Sequence, residues 1–82
     1  MNEMWTTLER YQPYAEKRGF GNTWLKMTTE RTVDAAWAAW LAADTADAAD
    51  IAVWAAAAAA DAQLASEAIK HINRAIAWEE KR

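Results

Sequence analysis

Residues 22–82 contain no glycine and no proline, so most of the chain lacks a strong interruption to helix. Alanine, the residue with the highest helix propensity, supplies 22 of the 82 residues and is concentrated in this tract. A single helix from Thr29 to Glu80 would be roughly 80 Å long at about 1.5 Å per residue. A compact domain of this size has a radius of gyration near ~12 Å. The tract must therefore fold back on itself or pair with other chains.

The best place for the tract to fold back is residues 43–48. Thr45 and Asp47 are good N-cap residues, and Asp50 would lie near the start of the new helix, where an acid is favourable. No glycine is available to end the preceding helix, so an unbroken helix is the alternative. With the break, the pattern predicts an all-α fold, either a small three- to four-helix bundle or a helical hairpin, with a long alanine-rich C-terminal helix.

We expect a single helical domain over residues 1–82, divided into an N-terminal part and the tract. Residues 1–21 are predicted to form a short helix followed by an aromatic loop that contains glycine. Pro13 ends or interrupts this helix, because proline disfavours helix at the preceding residue. Asn22 or Thr23 would then cap the first helix of the tract.

The large apolar residues of the tract keep one helical phase. At 100° per residue they fall within a sector of roughly 140°, which predicts that they line the core. Trp78 lies outside this sector and is the tryptophan most expected at the surface. Six tryptophans exceed what a small core needs, and exposed rings are natural binding anchors. The members of the sector are Val33, Trp37, Trp40, Leu41, Ile51, Trp54, Ile69, Ile72 and Ile76.

The composition argues against catalytic and metal sites. The chain has no cysteine and a single histidine, His71, so disulfides and zinc sites built from thiolates or several imidazoles are excluded. No paired nucleophile and base, phosphate-binding loop or supported pair of carboxylates stands out. The sequence therefore predicts a protein that is not an enzyme and that has no cofactor.

The middle of the tract is acidic. Residues 32–69 contain six acids and no lysine or arginine, which disfavours direct binding of nucleic acid and favours a protein partner with a basic surface. The longest uncharged apolar runs, Ala35–Ala43 and Ile51–Ala60, are about half the ~20 residues that span a bilayer. The first residues lack the pattern of a signal peptide. We expect a cytoplasmic protein that does not bind membranes.

Two groups of residues are candidates for partner binding. The first combines acids with rings near the predicted fold-back. The alternative interpretation is that these acids only form a solvated face and favour helix starts. The second combines rings with positive charge around the glycines, and its alternatives are a lid over the helix ends and a base-stacking loop. The first group is Trp40, Asp44, Asp47, Asp50 and Trp54, and the second is Tyr14, Arg18 and Phe20.

The run Ala35–Ala39, Ala-Ala-Trp-Ala-Ala, and the Ala-Asp steps after it resemble small helical accessory proteins of phages and mobile elements, including anti-CRISPR proteins. The resemblance covers size and composition over residues 33–82. It implies a protein-binding protein that blocks a host defence complex or a complex that handles nucleic acid. The alternative function is a self-assembling structural bundle, because a small core gains stability from association and would make the chain a homo-oligomer.

Overall fold

The computed structural model describes residues 2–81, which form six α-helices and one 3-10 turn. No strand occurs in that range, and α6, at 17 residues, is the longest helix. The predicted all-α fold with a long C-terminal helix is therefore confirmed. The helices are α1 (Asn2–Glu9), α2 (Gln12–Lys17), α3 (Gly21–Glu30), α4 (Val33–Ala42), α5 (Ala46–Ala60) and α6 (Ala65–Lys81), with the 3-10 turn at Ala62–Leu64.

The described part of the chain folds back on itself several times and has a radius of gyration of 11.0 Å. Helix α4 packs against both α3 and α5, α5 packs against α6, and α6 returns to pack against α1. None of the helices in residues 2–81 is long and apolar enough to cross a membrane.

Pro13 lies in the first turn of α2, where its missing N–H group costs no helical hydrogen bond. Helix α1 ends earlier, at Glu9, and the chain turns through Arg10 and Tyr11. The first helix therefore does end before Pro13, as predicted, but it ends earlier than the proline requires, and Pro13 itself lies in the first turn of the second helix.

Gly19 ends α2 in the left-handed conformation, with φ of 93°. The N–H of Phe20 donates to the carbonyl of Ala15 at 3.0 Å, and the N–H of Gly19 donates to the carbonyl of Glu16 at 3.2 Å. This pair of bonds is the Schellman motif, which favours glycine at the left-handed position. The turn carries the Phe20 ring back into the core, where it is 4% exposed.

Helix α3 begins at Gly21 and not at the predicted caps Asn22 or Thr23, which lie within its first turn. Phe20 occupies the N-cap position and makes no side-chain capping bond. Gly21 is required by close packing, since a Cβ there would lie 2.9 Å from the Cα of Glu16. The capping prediction failed because packing of α3 against α2 sets this boundary.

Threonine and aspartate side chains start the helices of the tract. Thr32 accepts a hydrogen bond from the N–H of Ala35 at 3.1 Å, and Thr45 accepts one from the N–H of Ala48 at 3.2 Å. Helix α4 ends at Ala42 and α5 begins at Ala46, so this break falls inside the interval that the capping residues indicate.

Two further breaks divide the tract where the sequence shows neither glycine nor proline. Arg31 ends α3 in the left-handed conformation with φ of 57°, at a cost of about 1 kcal/mol for a residue that has a Cβ. Asp61 ends α5 in an extended conformation, and its carboxylate accepts a hydrogen bond from the N–H of Gln63 at 3.1 Å. After each of these two helices a polar side chain, Thr32 or Asp61, accepts a hydrogen bond from an N–H group at the start of the next helical segment. These polar residues mark the breaks in place of glycine.

The core has an aromatic part and an alanine part. Helices α1–α3 contribute the large side chains, and helices α4–α6 contribute mostly alanine with three isoleucines. The fully buried large residues of the first part are Met4, Leu8, Tyr11, Trp24 and Met27. In the second part, three isoleucines of the predicted sector are buried as expected, at Ile51, Ile72 and Ile76, and the fourth, Ile69, is partly buried.

Helix α4 reverses the predicted orientation of the sector. Ala35, Ala36 and Ala39 face the core, while Trp37, Trp40 and Leu41 are exposed. The prediction that these three large residues line the core was wrong. Asp34 is the only polar residue of α4, so hydrophobicity favours no particular face of this helix. Small side chains on the inner face let α4 approach its neighbours closely, which decides the orientation.

Candidate protein-binding surfaces

The outer surface of α4 carries three large apolar side chains, Trp37, Trp40 and Leu41, which we call the α4 face. Their exposed fractions are 43%, 38% and 76%. Three and four residues separate Trp37 from the other two, so all three lie on adjacent turns of one side. The burial of the alanines on the opposite side fixes this orientation, since turning the rings inward would force the helices apart.

The two rings of the α4 face contact each other edge to face, with centroids 5.3 Å apart and an interplanar angle of 86°. This geometry is favourable for aromatic pairs and restricts the rotamers of both rings. Leu25 on α3 and Val53 on α5 are also exposed, and both helices pack against α4. Exposed apolar side chains are therefore found on three helices that pack side by side.

The charges nearest to the α4 face in sequence are acidic. Asp34 lies in the first turn of α4 and Asp44 just after its end, and both are exposed. On the neighbouring helix α3, Lys26 lies 4.0 Å from the carboxylate of Glu30. Helix α4 itself carries no base, and Asp34 gives it a negative charge at its N-terminal end.

A second feature is an open cleft of about 600 Å³ at one end of the bundle, lined by Tyr14, Lys17, Arg18, Asp44 and Glu79. The C-terminal ends of α2 and α6 and the loop before α5 meet there. The cleft brings together Asp44 from the first predicted group with Tyr14 and Arg18 from the second. Its wall carries charges of both signs.

Glu79 is the central residue of this end of the bundle. Its side chain is only 5% exposed, and both of its carboxylate oxygens accept hydrogen bonds from Arg18, at 2.9 and 3.0 Å. The Tyr11 hydroxyl donates a third bond to Glu79 Oε1 at 3.2 Å. A buried carboxylate needs such partners, and the three bonds join α6 to the two ends of α2.

This network shifts the pKa values of its members. Burial first, and then the negative charge of Glu79, raise the pKa of Tyr11 to about 12, so the phenol stays protonated and acts as a donor. The hydrogen bond to Glu79 raises the pKa of Arg18 above its ordinary value. Neither group is therefore suited to act as a base near neutral pH, and the network acts as a structural connection.

A third feature is a groove of about 270 Å³ between α5 and α6, lined by Asp47, Asp50, Arg74, Ala75 and Trp78. Trp78 is 56% exposed, as its phase in the sequence predicts. Beside the groove, His71 stacks on Trp54 with centroids 4.4 Å apart and lies 3.8 Å from the Asp50 carboxylate. Trp54 is consequently half covered and less available to a partner than the exposed rings.

The structure divides the first predicted group among three places. Trp40 belongs to the α4 face, Asp44 to the end cleft, and Asp47 and Asp50 to the groove between α5 and α6. These residues lie on one stripe only if the helix continues through residues 43–45, where it is broken. Trp54 lies beneath His71.

In the second predicted group, Phe20 is a correction. It is 4% exposed and contacts the Trp24 ring edge to face, with centroids 5.9 Å apart, so it cannot serve as a surface anchor. Its burial agrees with the lid alternative for this segment. Tyr14 and Arg18 do line the cleft, but Arg18 is already paired with Glu79.

Sequence reasoning missed Trp37 and Leu41 as surface residues and Glu79 as a buried partner. The signal for the first two is that alanines occupy the other side of α4 and can form the contact surface. Glu79 does keep the spacing of the buried stripe of α6, three residues after Ile76. That spacing could have marked it as a buried acid in need of a cation.

Within residues 2–81, no group of three or more histidine, cysteine or acidic side chains is arranged to hold a metal ion. No protein-family model matches the chain, and no curated protein or solved structure is significantly similar to it. The arrangement of the described residues therefore has to support a function by itself.

Proposed function

We propose that this chain is a non-enzymatic protein-binding protein and that the α4 face is its binding surface. The observation that carries the proposal is the orientation of α4, with alanines inward and Trp37, Trp40 and Leu41 outward. None of these three side chains belongs to the buried core, and the surface that they leave exposed is large and apolar. Clustered exposed apolar residues with a polar rim are typical of interaction sites.

The chemistry of the α4 face fits a binding anchor. Tryptophan is enriched among the residues that dominate binding energy, because a large rigid ring buries much area at low entropic cost. The contact between Trp37 and Trp40 orders both rings before a partner arrives. The inhibitory role implied by the resemblance to phage accessory proteins stays a prediction, as does its target complex.

The test is a quantitative affinity purification from a bacterial lysate with three forms of the full chain. The wild type is compared with the double variant Trp37→Ala, Leu41→Ala and with the control Trp78→Ala, which removes an exposed ring elsewhere. We expect the wild type and the control to retain the same partner. The double variant should lose about 30-fold or more in apparent affinity, the scale of a hot-spot truncation.

Equal recovery of the partner by all three forms would show that the α4 face is not the binding surface. Circular dichroism must show the same helix content for the three proteins, since all the substituted side chains are exposed. Self-assembly, the alternative function, predicts a mass above that of one chain in light scattering. In that case the double variant should become monomeric while Trp78→Ala stays assembled.

A further inference from the structure

The shape of the α4 face restricts what can cover it. Val33, Trp37 and Leu41 are spaced four residues apart and form one ridge along the helix, about 12 Å long at ~1.5 Å per residue. Trp37 and Leu41 are exposed, whereas Val33 is half-buried against the core. Trp40 lies beside this ridge in contact with Trp37. Ridges of this spacing interdigitate with the ridges of another helix, which is the commonest way in which helices pack.

Exposed apolar side chains also lie on the two helices that pack against α4. Leu25 on α3 is 54% exposed and Val53 on α5 is 36% exposed. Both helices pack against α4, so a helix that crosses α4 at an angle would also meet one of its neighbours. The occupant therefore needs an apolar stripe of several turns, and a single side chain inserted from a loop would leave most of the ridge uncovered.

The charges near the α4 face favour some docking helices over others. Asp34 and Asp44 lie at the two ends of α4, and residues 32–69 carry six acids and no base. A second copy of this chain docked through the same face would bring these acids together, since a two-fold contact places like residues near each other. A helix with lysine or arginine beside its apolar stripe would meet them favourably.

The bases on and next to the neighbouring helix α3 do not make the charge around the α4 face positive. Lys26 on α3 is 4.0 Å from Glu30, and Arg31, which follows α3, is 3.6 Å from Glu9, so each of these two bases has a carboxylate close by. At the other end of α4, Asp44 shares the end cleft with Lys17 and Arg18. The α4 face therefore has the negative charge of Asp34 on its own helix and compensated charge around it.

We propose that the occupant of the α4 face is an amphipathic helix of a partner protein, with an apolar stripe flanked by lysine or arginine. This inference rests on the proposed function and adds the partner's chemistry to it. Binding buries Trp37, Leu41 and the exposed part of Val33, and a basic flank pairs with Asp34. Salt screens the charge pairing and so weakens it, but it does not weaken the burial of the apolar side chains.

The experiment follows the indole N–H signals of the isotope-labelled full chain by NMR during titration with synthetic helical peptides. The main probe has a leucine stripe flanked by lysines. One matched probe replaces the lysines with glutamates, and another keeps the lysines but replaces the leucines with glutamines. The Trp37 and Trp40 signals are assigned with phenylalanine variants. Trp24, whose indole donates to the Leu8 carbonyl at 2.9 Å inside the core, serves as an internal reference.

We expect only the lysine-flanked leucine peptide to shift the signals of Trp37 and Trp40, while the Trp24 signal stays in place. Its affinity should fall about 30-fold in Trp37→Ala and stay unchanged in Trp78→Ala. Asp34→Asn should weaken binding by up to about five-fold at low salt, the scale of a single exposed charge pair.

Several results would overturn the inference. They are equal binding of the glutamate-flanked peptide, equal binding of the peptide without leucines, or shifts at Trp54 and Trp78 alone. Movement of the Trp37 and Trp40 signals on dilution of the protein would identify a second copy as the occupant, and movement with phosphatidylcholine vesicles would identify a lipid surface. If every peptide fails while the Trp37→Ala, Leu41→Ala variant still loses its partner from lysate, the proposed function stands and the helix assignment falls.

Discussion

Helices α1–α3 and helix α4 both carry tryptophan, but they place it on opposite sides. Trp24 on α3 is fully buried, contacts the ring of Tyr11 and donates to a backbone carbonyl. Trp37 on α4 is 43% exposed and contacts only the equally outward Trp40 among the rings. Helices α1–α3 carry polar residues around most of their surface, so hydrophobicity selects their inner face, whereas on α4 packing distance selects it. A tryptophan between alanines is therefore not a core residue by default.

The strongest way to break this comparison is to remove one ring from each region. Trp24→Ala should lower the free energy of unfolding by about 4 kcal/mol, because it leaves a cavity in the core and removes the hydrogen bond from the indole to the Leu8 carbonyl. Trp37→Ala should lower the free energy of unfolding by only about 1 kcal/mol, because the half-exposed ring mainly loses its contact with Trp40. Urea denaturation followed by far-ultraviolet circular dichroism measures both. Similar losses in the two variants would contradict the orientation of α4.

The second test concerns the buried ion pair that ties the aromatic part to α6. Arg18→Ala should destabilise the fold by about 3 kcal/mol, since it leaves the Glu79 carboxylate, only 5% exposed, without its cation. The control is Lys70→Ala, whose pair with Glu67 at 3.1 Å is exposed and should contribute less than about 1 kcal/mol. If both variants unfold at the same urea concentration, Glu79 is not buried as described.

The third test probes the alanine part directly. Ala39 is fully buried and the neighbouring Ala38 is exposed, so the same enlargement should have different effects at the two positions. Ala39→Leu should cost about 2 kcal/mol by overpacking the contact of α4 with its neighbours. Ala38→Leu should leave stability within about 0.5 kcal/mol. Thermal denaturation distinguishes the pair, and the reverse order of stability would mean that α4 is rotated.

The smallest expected effect concerns the phenol of Tyr11, in the aromatic part of the core. The pKa of Tyr11 is raised to about 12 in the fold from 10.0, so its contribution is complete below the lower value and is lost as the pH rises towards the upper one. By about pH 11 this group alone should have cost roughly 1 kcal/mol of stability. Tyr11→Phe should remove that part of the alkaline slope in urea titrations. A Tyr14→Phe variant, whose ring is only half-buried, is the control and should keep the slope.

The sequence was informative where local chemistry selects one structure. Thr45 provides a capping hydroxyl, and the chain breaks before it. In α6 the apolar residues alternate with lysine, arginine and glutamate, and Ile72 and Ile76 are buried as their phase predicts. Trp78 lies out of that phase and is exposed.

Other features depend on contacts between distant residues and could not be predicted locally. Nothing near Arg31 in the sequence signals a left-handed residue, because no glycine or asparagine is present there. The orientation of α4 depends on how closely its alanines approach other helices. The pairing of Arg18 with Glu79 joins residues 61 positions apart, which no local period reports. The sequence therefore grouped Trp40 with the acids of the tract and Trp54, whereas in the structure it lies beside Trp37 and Leu41.

The bonds to Glu79 also restrict the route by which this chain can fold. Tyr11 and Arg18 lie 68 and 61 positions before Glu79, so their pairing closes a loop that includes most of the molecule. Each individual helix can form from neighbouring residues alone, but this closure cannot, and its entropy cost is about 4 kcal/mol for a flexible loop of that length. The two ends of the described chain thus become ordered together. The helices do not pack only against their neighbours in sequence, because α6 also packs against α1.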